Sequence, residues 1–105
     1  MNHIVENGFE YWTDDYDRYH REDGPAIISK YGVAWYCHGQ RHRIGAPAII
    51  MRKFEFQWFQ YNKLHRLDGP AIEYFDKEEW WIDGIQIDCK DNEEFLRIVK
   101  LKELL

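Results

Sequence analysis

Through residues 7–88, short apolar stretches bounded by proline, glycine and charged residues read as β-strands, in which neighbouring side chains point to opposite faces. Ala26-Ile27, Ala48-Ile49 and Ala71-Ile72 set the pattern, with the alanines on one face and the isoleucines on the other. Each pair follows a proline, Pro25, Pro47 or Pro70. Proline is tolerated at the first position of a strand, where no ladder N–H is needed. Four adjacent aromatic pairs, Tyr11-Trp12, Trp35-Tyr36, Trp58-Phe59 and Trp80-Trp81, also point to opposite faces. They predict two columns, Tyr11/Trp35/Trp58/Trp80 and Trp12/Tyr36/Phe59/Trp81. The C-terminal segment changes period. Phe95, Ile98, Val99 and Leu105, joined by Leu101 and Leu104, recur at helical spacing. Asp91 and Glu94 stand at capping-box separation, and Lys100 and Lys102 suit the C-terminal half. These signals predict an amphipathic helix over residues 91–105 that packs on the sheet or closes its last edge.

A repeat organises the strand-like part. His20-Arg21-Glu22-Asp23-Gly24-Pro25-Ala26-Ile27 returns as His42-Arg43-Ile44-Gly45-Ala46-Pro47-Ala48-Ile49 and again as His65-Arg66-Leu67-Asp68-Gly69-Pro70-Ala71-Ile72, in steps of 22 and 23 residues. Behind each aromatic pair from Trp35 onward comes a turn dipeptide: His38-Gly39, Tyr61-Asn62 and Asp83-Gly84. Gly39, Asn62 and Gly84 stand where a type I′ hairpin turn needs positive φ, which Gly and Asn adopt at low cost. The first unit reads as strands at 25–29 and 33–37 around a turn at Lys30-Tyr31-Gly32. Unit two carries one extra residue, placed near Arg52-Lys53, and unit one carries one in Asp14-Asp15-Tyr16-Asp17. The predicted fold is mainly β: a meandering antiparallel sheet of about three to four β-hairpin repeats of 22–23 residues across 7–88, with one C-terminal α-helix, in a single domain over 1–105.

Composition narrows the setting. No apolar run approaches the ~20 residues that a membrane-spanning helix needs. The opening MNHIVENGFE has neither a basic start nor an apolar stretch, so no secretory leader is expected. Two cysteines, Cys37 and Cys89, fit a reducing compartment, and a cytoplasmic location is the expectation. The net charge of -5 is unevenly spread: residues 1–23 carry seven acids and two bases, residues 24–72 seven bases and two acids, and residues 73–94 nine acids and two bases. Such a polarised surface steers charged partners. Nucleic acid is not the expected partner of a net acidic chain, because affinity there grows with the number of phosphate contacts.

The His-Arg-x-Asp-Gly-Pro-Ala unit with its aromatic pair and turn glycine resembles the short β-hairpin repeats of many small phage and bacterial proteins. These are similar in plan to MORN repeats. The resemblance covers residues 7–88 and departs at Gly45-Ala46, where the Asp-Gly of the other units is lost. It implies an elongated sheet used for binding and no catalytic residue. For a phage-encoded chain it implies an inhibitor in the host cytoplasm that binds and blocks a host protein, such as a defence enzyme.

The chemistry-bearing residues favour scaffolding. Strands lie about 4.8 Å apart, so His20, His42 and His65, one two-stranded unit from each other, stand roughly 10 Å apart and cannot share an ion. Cys37 and His38 are expected on opposite faces. No metal-ligand spacing, phosphate-cradling glycine loop or nucleophile elbow is present, so neither a metal nor a cofactor is expected. Arg21 with Asp23, and Arg66 with Asp68, are expected to tie the turns, and each histidine to cap a carbonyl of the neighbouring unit. Asp14-Asp15-Asp17 lacks the glycine and distal glutamate of a calcium loop and reads as plain loop. The column Trp35/Trp58/Trp80 is expected in the core. Trp12, Tyr36, Phe59 and Trp81 are expected on a partly exposed face that binds a protein partner. The leading expectation is thus a non-enzymatic protein-binding module. One alternative is a small-ligand or nucleotide sponge, with aromatics stacked on a base and Arg41, Arg43 and Arg66 on phosphates. Another is a homodimer joined through an uncovered sheet edge.

Overall fold

The computed structural model describes residues 2–52 and 54–105. Thirteen short strands precede one helix among these residues: β1 (Asn2–Glu6), β2 (Phe9–Thr13), β3 (Ile27–Ser29), β4 (Gly32–Ala34), β5 (Tyr36–Cys37), β6 (Gln40–Arg41), β7 (Ile49–Met51), β8 (Glu55–Gln57), β9 (Phe59–Gln60), β10 (Lys63–Leu64), β11 (Ile72–Tyr74), β12 (Lys77–Ile82), β13 (Ile85–Ile87) and α1 (Asn92–Glu103). Nine strands form one antiparallel sheet in the order β1-β2-β3-β4-β7-β8-β11-β12-β13, and β5/β6 and β9/β10 form separate two-stranded ribbons. The mainly-β meander with a single C-terminal helix is therefore present. Its extents of 45 × 30 × 18 Å leave room for little more than one sheet and its side chains across the thin dimension.

The strands are shorter than alternation alone suggests. The stretch predicted as one strand over 33–37 breaks at Trp35, because that residue belongs to two hairpins. Its N–H donates to the Ala48 carbonyl across the main sheet (2.7 Å), while its own carbonyl accepts from His42 N–H (3.2 Å). Trp58 repeats this with Ala71 (2.8 Å) and His65 (3.0 Å). The chain thus leaves the main sheet at each tryptophan and enters a small ribbon. The extra residue expected near Arg52-Lys53 falls partly outside the described residues, since Lys53 is not among them.

The ribbon turns have the expected geometry, with φ of 46° and 83° at His38-Gly39, 47° and 67° at Tyr61-Asn62, and 49° and 79° at Asp83-Gly84. Each turn is pinned to the unit before it by two backbone donors. His38, Tyr61 and Asp83 N–H donate to Nδ1 of His20, His42 and His65, all at 3.0 Å. Gly39, Asn62 and Gly84 N–H donate to the carbonyls of Tyr19, Arg41 and Leu64 at 2.7–2.9 Å. The histidines therefore accept a neighbour's N–H, where the sequence reading has them capping a carbonyl. An acceptor Nδ1 places the neutral ring's proton on Nε2.

Register also corrects the aromatic columns. Trp12 N–H donates to the Ala26 carbonyl and its carbonyl accepts from His20 N–H, the same pair of bonds made by Trp35 and Trp58. Trp12, not Tyr11, therefore leads the column Trp12/Trp35/Trp58/Trp80, and its counterpart in the Tyr36/Phe59/Trp81 column is Thr13. The added residue sits in the loop that follows, as expected for unit one. An arginine lies flat on each of the first three tryptophans: Arg21 on Trp12 (3.7 Å), Arg43 on Trp35 (3.7 Å) and Arg66 on Trp58 (3.9 Å). These stacks leave Trp35 and Trp58 half-buried, while Ala26, Ala48 and Ala71 are fully buried between them. Trp80 has no following repeat arginine, and the helix takes that place. Phe95 packs at 6.3 Å from the Trp80 ring, and Asn92 Oδ1 accepts from Trp80 Nε1 (3.0 Å). Asp91 caps the helix by accepting from Glu94 N–H (2.9 Å). Phe95 and Val99 are buried, but Leu101, Leu104 and Leu105 stay exposed.

Candidate functional site

The residues expected to bind divide by environment. Phe59 is only 5% exposed, with the Arg41 guanidinium 4.2 Å above its ring. Trp12 is enclosed between Arg21 and the parallel ring of His3 at 4.4 Å. Tyr36 and Trp81 are half-buried; Tyr36 leans on Tyr19 (5.3 Å) and Trp81 Nε1 donates to Glu79 (3.1 Å). Four aromatics on one open face is therefore not what the fold provides. Arg41 donates to Asn62 Oδ1 (2.7 Å). Arg66 is engaged internally: it donates to Asp68 (2.8 Å), Glu73 (3.0 Å) and the Pro70 carbonyl (3.1 Å). Arg21 makes the expected bond to Asp23 (3.1 Å). Arg43 alone of the repeat arginines has no carboxylate among the described residues, and it borders an open cleft of about 500 Å³ with Trp35, His42 and Ile44.

The fold brings together a trio that alternation keeps apart. His38 sits in a turn at positive φ, so it folds back, and one ligand-type atom from each of His20, Cys37 and His38 lies within 4.8 Å of the others. The two rings stack at 3.8 Å. The trio makes a poor metal centre, because the His20 Nδ1 lone pair already accepts from His38 N–H and its Nε2 carries the proton. Cys37 and His38 then remain, fewer than the three or four protein ligands of a zinc site. The Cys37 thiol hydrogen-bonds to neither ring among the described residues, so no nucleophile–base pair is set up.

His38 works with Asp14 instead. Asp14 is buried, and its carboxylate accepts from Tyr16 N–H (2.9 Å), Arg18 N–H (3.1 Å), Arg18 Nε (2.9 Å) and His38 Nδ1 (2.8 Å). Burial by itself raises the carboxyl's pKa, but the donors from His38, Arg18 and Tyr16 outweigh it and hold it well below the usual carboxylate range. A depressed folded-state value means that this group's contribution to stability is present above the unfolded value near ~3.9 and is lost as pH falls through the folded one. Urea denaturation at a series of pH values is expected to show that Asp14→Asn flattens the acid limb below about pH 4. An unchanged acid limb would exclude Asp14 as its source.

What sequence reading missed is a row of aromatics at the opposite end of the strands. The turns after β3, β7 and β11 carry Tyr31, Phe54 and Phe75, which are 56%, 75% and 69% exposed. Because β3, β7 and β11 run parallel and lie two strands apart, successive tips stand roughly 10 Å from one another. Phe54 and Phe75 have φ of 60° and 51°, a conformation that a bulky L-residue adopts only at a cost. Beside the tips runs a groove of about 300 Å³ lined by Lys30, Tyr31, Met51, Arg52, Glu55 and Tyr74. Register puts Met51, Glu55 and Tyr74 on one face, and Gly32, opposite Met51, leaves that face without a side chain. The available signal was Tyr31 in the predicted turn Lys30-Tyr31-Gly32, with Phe54 and Phe75 at the matching places of the next two units, where Gly, Asn or Asp is the usual choice. No helix among the described residues is long and apolar enough to cross a membrane. Comparison with family models, with curated proteins and with solved structures finds no match.

Proposed function

We propose that this chain is a non-enzymatic protein-binding module that grips its partner with Tyr31, Phe54 and Phe75 and the groove beside them. One observation carries the reading: exposed aromatic rings recur at three neighbouring turns, two of them at backbone angles that glycine would adopt more cheaply. Rigid aromatic anchors beside an open groove are the usual source of interface hot spots. The resemblance to phage and bacterial hairpin-repeat proteins directs the search to a host protein, such as a defence enzyme, that the chain would block. Nucleotide capture is less well supported, since Arg41 and Arg66 are engaged internally.

The test separates binding from folding. Phe54→Gly with Phe75→Gly is expected to raise stability by about 1 kcal/mol per site through relief of backbone strain, read by urea denaturation. The same variant is expected to lose capture of the host protein that the parent retains from a lysate. Capture undiminished in the double variant would remove the tips from the binding surface. A rise in melting temperature of the parent with millimolar nucleotides would favour the sponge instead.

A further inference from the structure

Unit two differs from its neighbours at one position of the arginine network. In units one and three the repeat arginine shares three contacts, to which Arg66 adds Glu73. It covers a tryptophan, its NH1 donates to the proline carbonyl (3.2 Å from Arg21 to Pro25, 3.1 Å from Arg66 to Pro70), and its Nε donates to the aspartate two residues on (3.1 and 2.8 Å). Arg43 keeps the first two, over Trp35 at 3.7 Å and to the Pro47 carbonyl at 3.1 Å. Gly45 stands where the aspartate would be, so among the described residues the Nε edge meets no carboxylate.

The vacated position is accessible. Asp23 and Asp68 have side chains 88% and 78% exposed, so the equivalent place beside Arg43 opens to solvent. It borders the cleft of about 500 Å³, next to Trp35, His42 and the exposed Ile44. Burial of the guanidinium pulls the Arg43 pKa down from its ordinary value, a desolvation that no internal carboxylate offsets. Glu22 and Asp23 also line the cleft, which disfavours a polyanion and suits a single carboxylate.

We propose that the Nε edge of Arg43, backed by Trp35, is a docking point for one acidic side chain, Asp or Glu, of a partner protein. A guanidinium held flat by an aromatic ring has its fork pre-organised for a carboxylate. The site lies at the end of the strands away from the aromatic tips, so it stands or falls separately from them.

The experiment restores the internal partner. Gly45→Asp with Ala46→Gly restores the residues of units one and three. Gly45 lies at φ of 80°, where a side chain is strained, so the aspartate reaches Arg43 once the turn takes the backbone of its neighbours. The glycine matters because a Cβ at Gly24 or Gly69 would lie 3.0 or 2.7 Å from the arginine Cζ. In the parent, a blocked Gly-Glu-Gly peptide at millimolar concentration is expected to shift the Arg43 Nε–H resonance, while Gly-Gln-Gly leaves it in place. The double variant is expected to bind the glutamate peptide at least tenfold more weakly, with a cooperative thermal melt to show that it folds. An unmoved Arg43 resonance, equal shifts at Arg21 and Arg66, or parent-like binding by the double variant would each overturn the proposal. So would a shift with inorganic phosphate as large as with the glutamate peptide, which would make this an unselective anion pocket. The tip variant Phe54→Gly with Phe75→Gly is expected to leave the titration unchanged.

Discussion

Phe95→Ala is expected to cost about 3–5 kcal/mol, the range for removing a fully buried phenylalanine. A domain of this kind holds only about 5–15 kcal/mol in all, so the loss takes a large part of its margin. Phe95 has no exposed surface and closes the cluster of Trp80 and Val99, with Ile82, Ile87 and Cys89 around it. The helix has twelve residues, too few to persist in water without that contact. Its detachment would leave Trp80, the last of the column, with an uncovered face and Nε1 without Asn92. Far-UV circular dichroism during urea denaturation should show both a lower midpoint and a loss of helical signal before the main transition. Leu101→Ala on the exposed side serves as the control, within about 0.5 kcal/mol of the parent. A parent-like midpoint for Phe95→Ala would mean that the helix contributes nothing to holding the sheet end.

The features legible in the sequence are those where backbone geometry restricts residue choice. Gly39, Asn62 and Gly84 announced their turns because few residues accept positive φ, and all three adopt it. Asp91 and Glu94 announced the helix start for a similar reason, since exposed backbone N–H groups need an acceptor. The Arg21–Asp23 and Arg66–Asp68 ties were legible from charge and short separation. Partnerships decided by hydrogen-bond register were not. Tyr11-Trp12 looks like the later aromatic pairs, yet the bonds to Ala26 and His20 show that Trp12 belongs one place along. His38 was placed by strand alternation on the face away from Cys37, but its turn conformation overrides that alternation. The binding surface suffered most. Aromatic residues count as core by composition, and only coordinates separate Phe59, enclosed under Arg41, from Phe54 and Phe75, which stand in water.

Gly32→Ala is expected to be the most damaging single methyl group in the chain, with a loss of about 3 kcal/mol or more. Gly32 opens β4 at φ of 148°, and a Cβ built there would lie 2.2 Å from the Ile50 carbonyl oxygen and 3.0 Å from the Met51 Cα. Both are backbone atoms of β7, so no side-chain rotation relieves the clash; the strands must separate. The contrast with other glycines is physical. At Gly24 and Gly69 the obstructing atoms belong to arginine side chains, and at Gly8 the Cβ meets nothing within 4 Å, so Gly8→Ala carries only the backbone cost of about 1 kcal/mol. The β4–β7 pairing, Gly32 to Met51, Val33 to Ile50 and Ala34 to Ile49, is the junction through which the first two units share the main sheet. Forcing it apart would divide nine strands into a group of four and a group of five, each with a new unpaired edge. Hydrogen exchange should therefore show β4 and β7 amides losing protection together, with β11 and β12 affected less. Uniform loss across all strands would instead mean that the sheet opens only as a whole, and equal midpoints for Gly32→Ala and Gly8→Ala would show that the close approach at Ile50 does not constrain the fold.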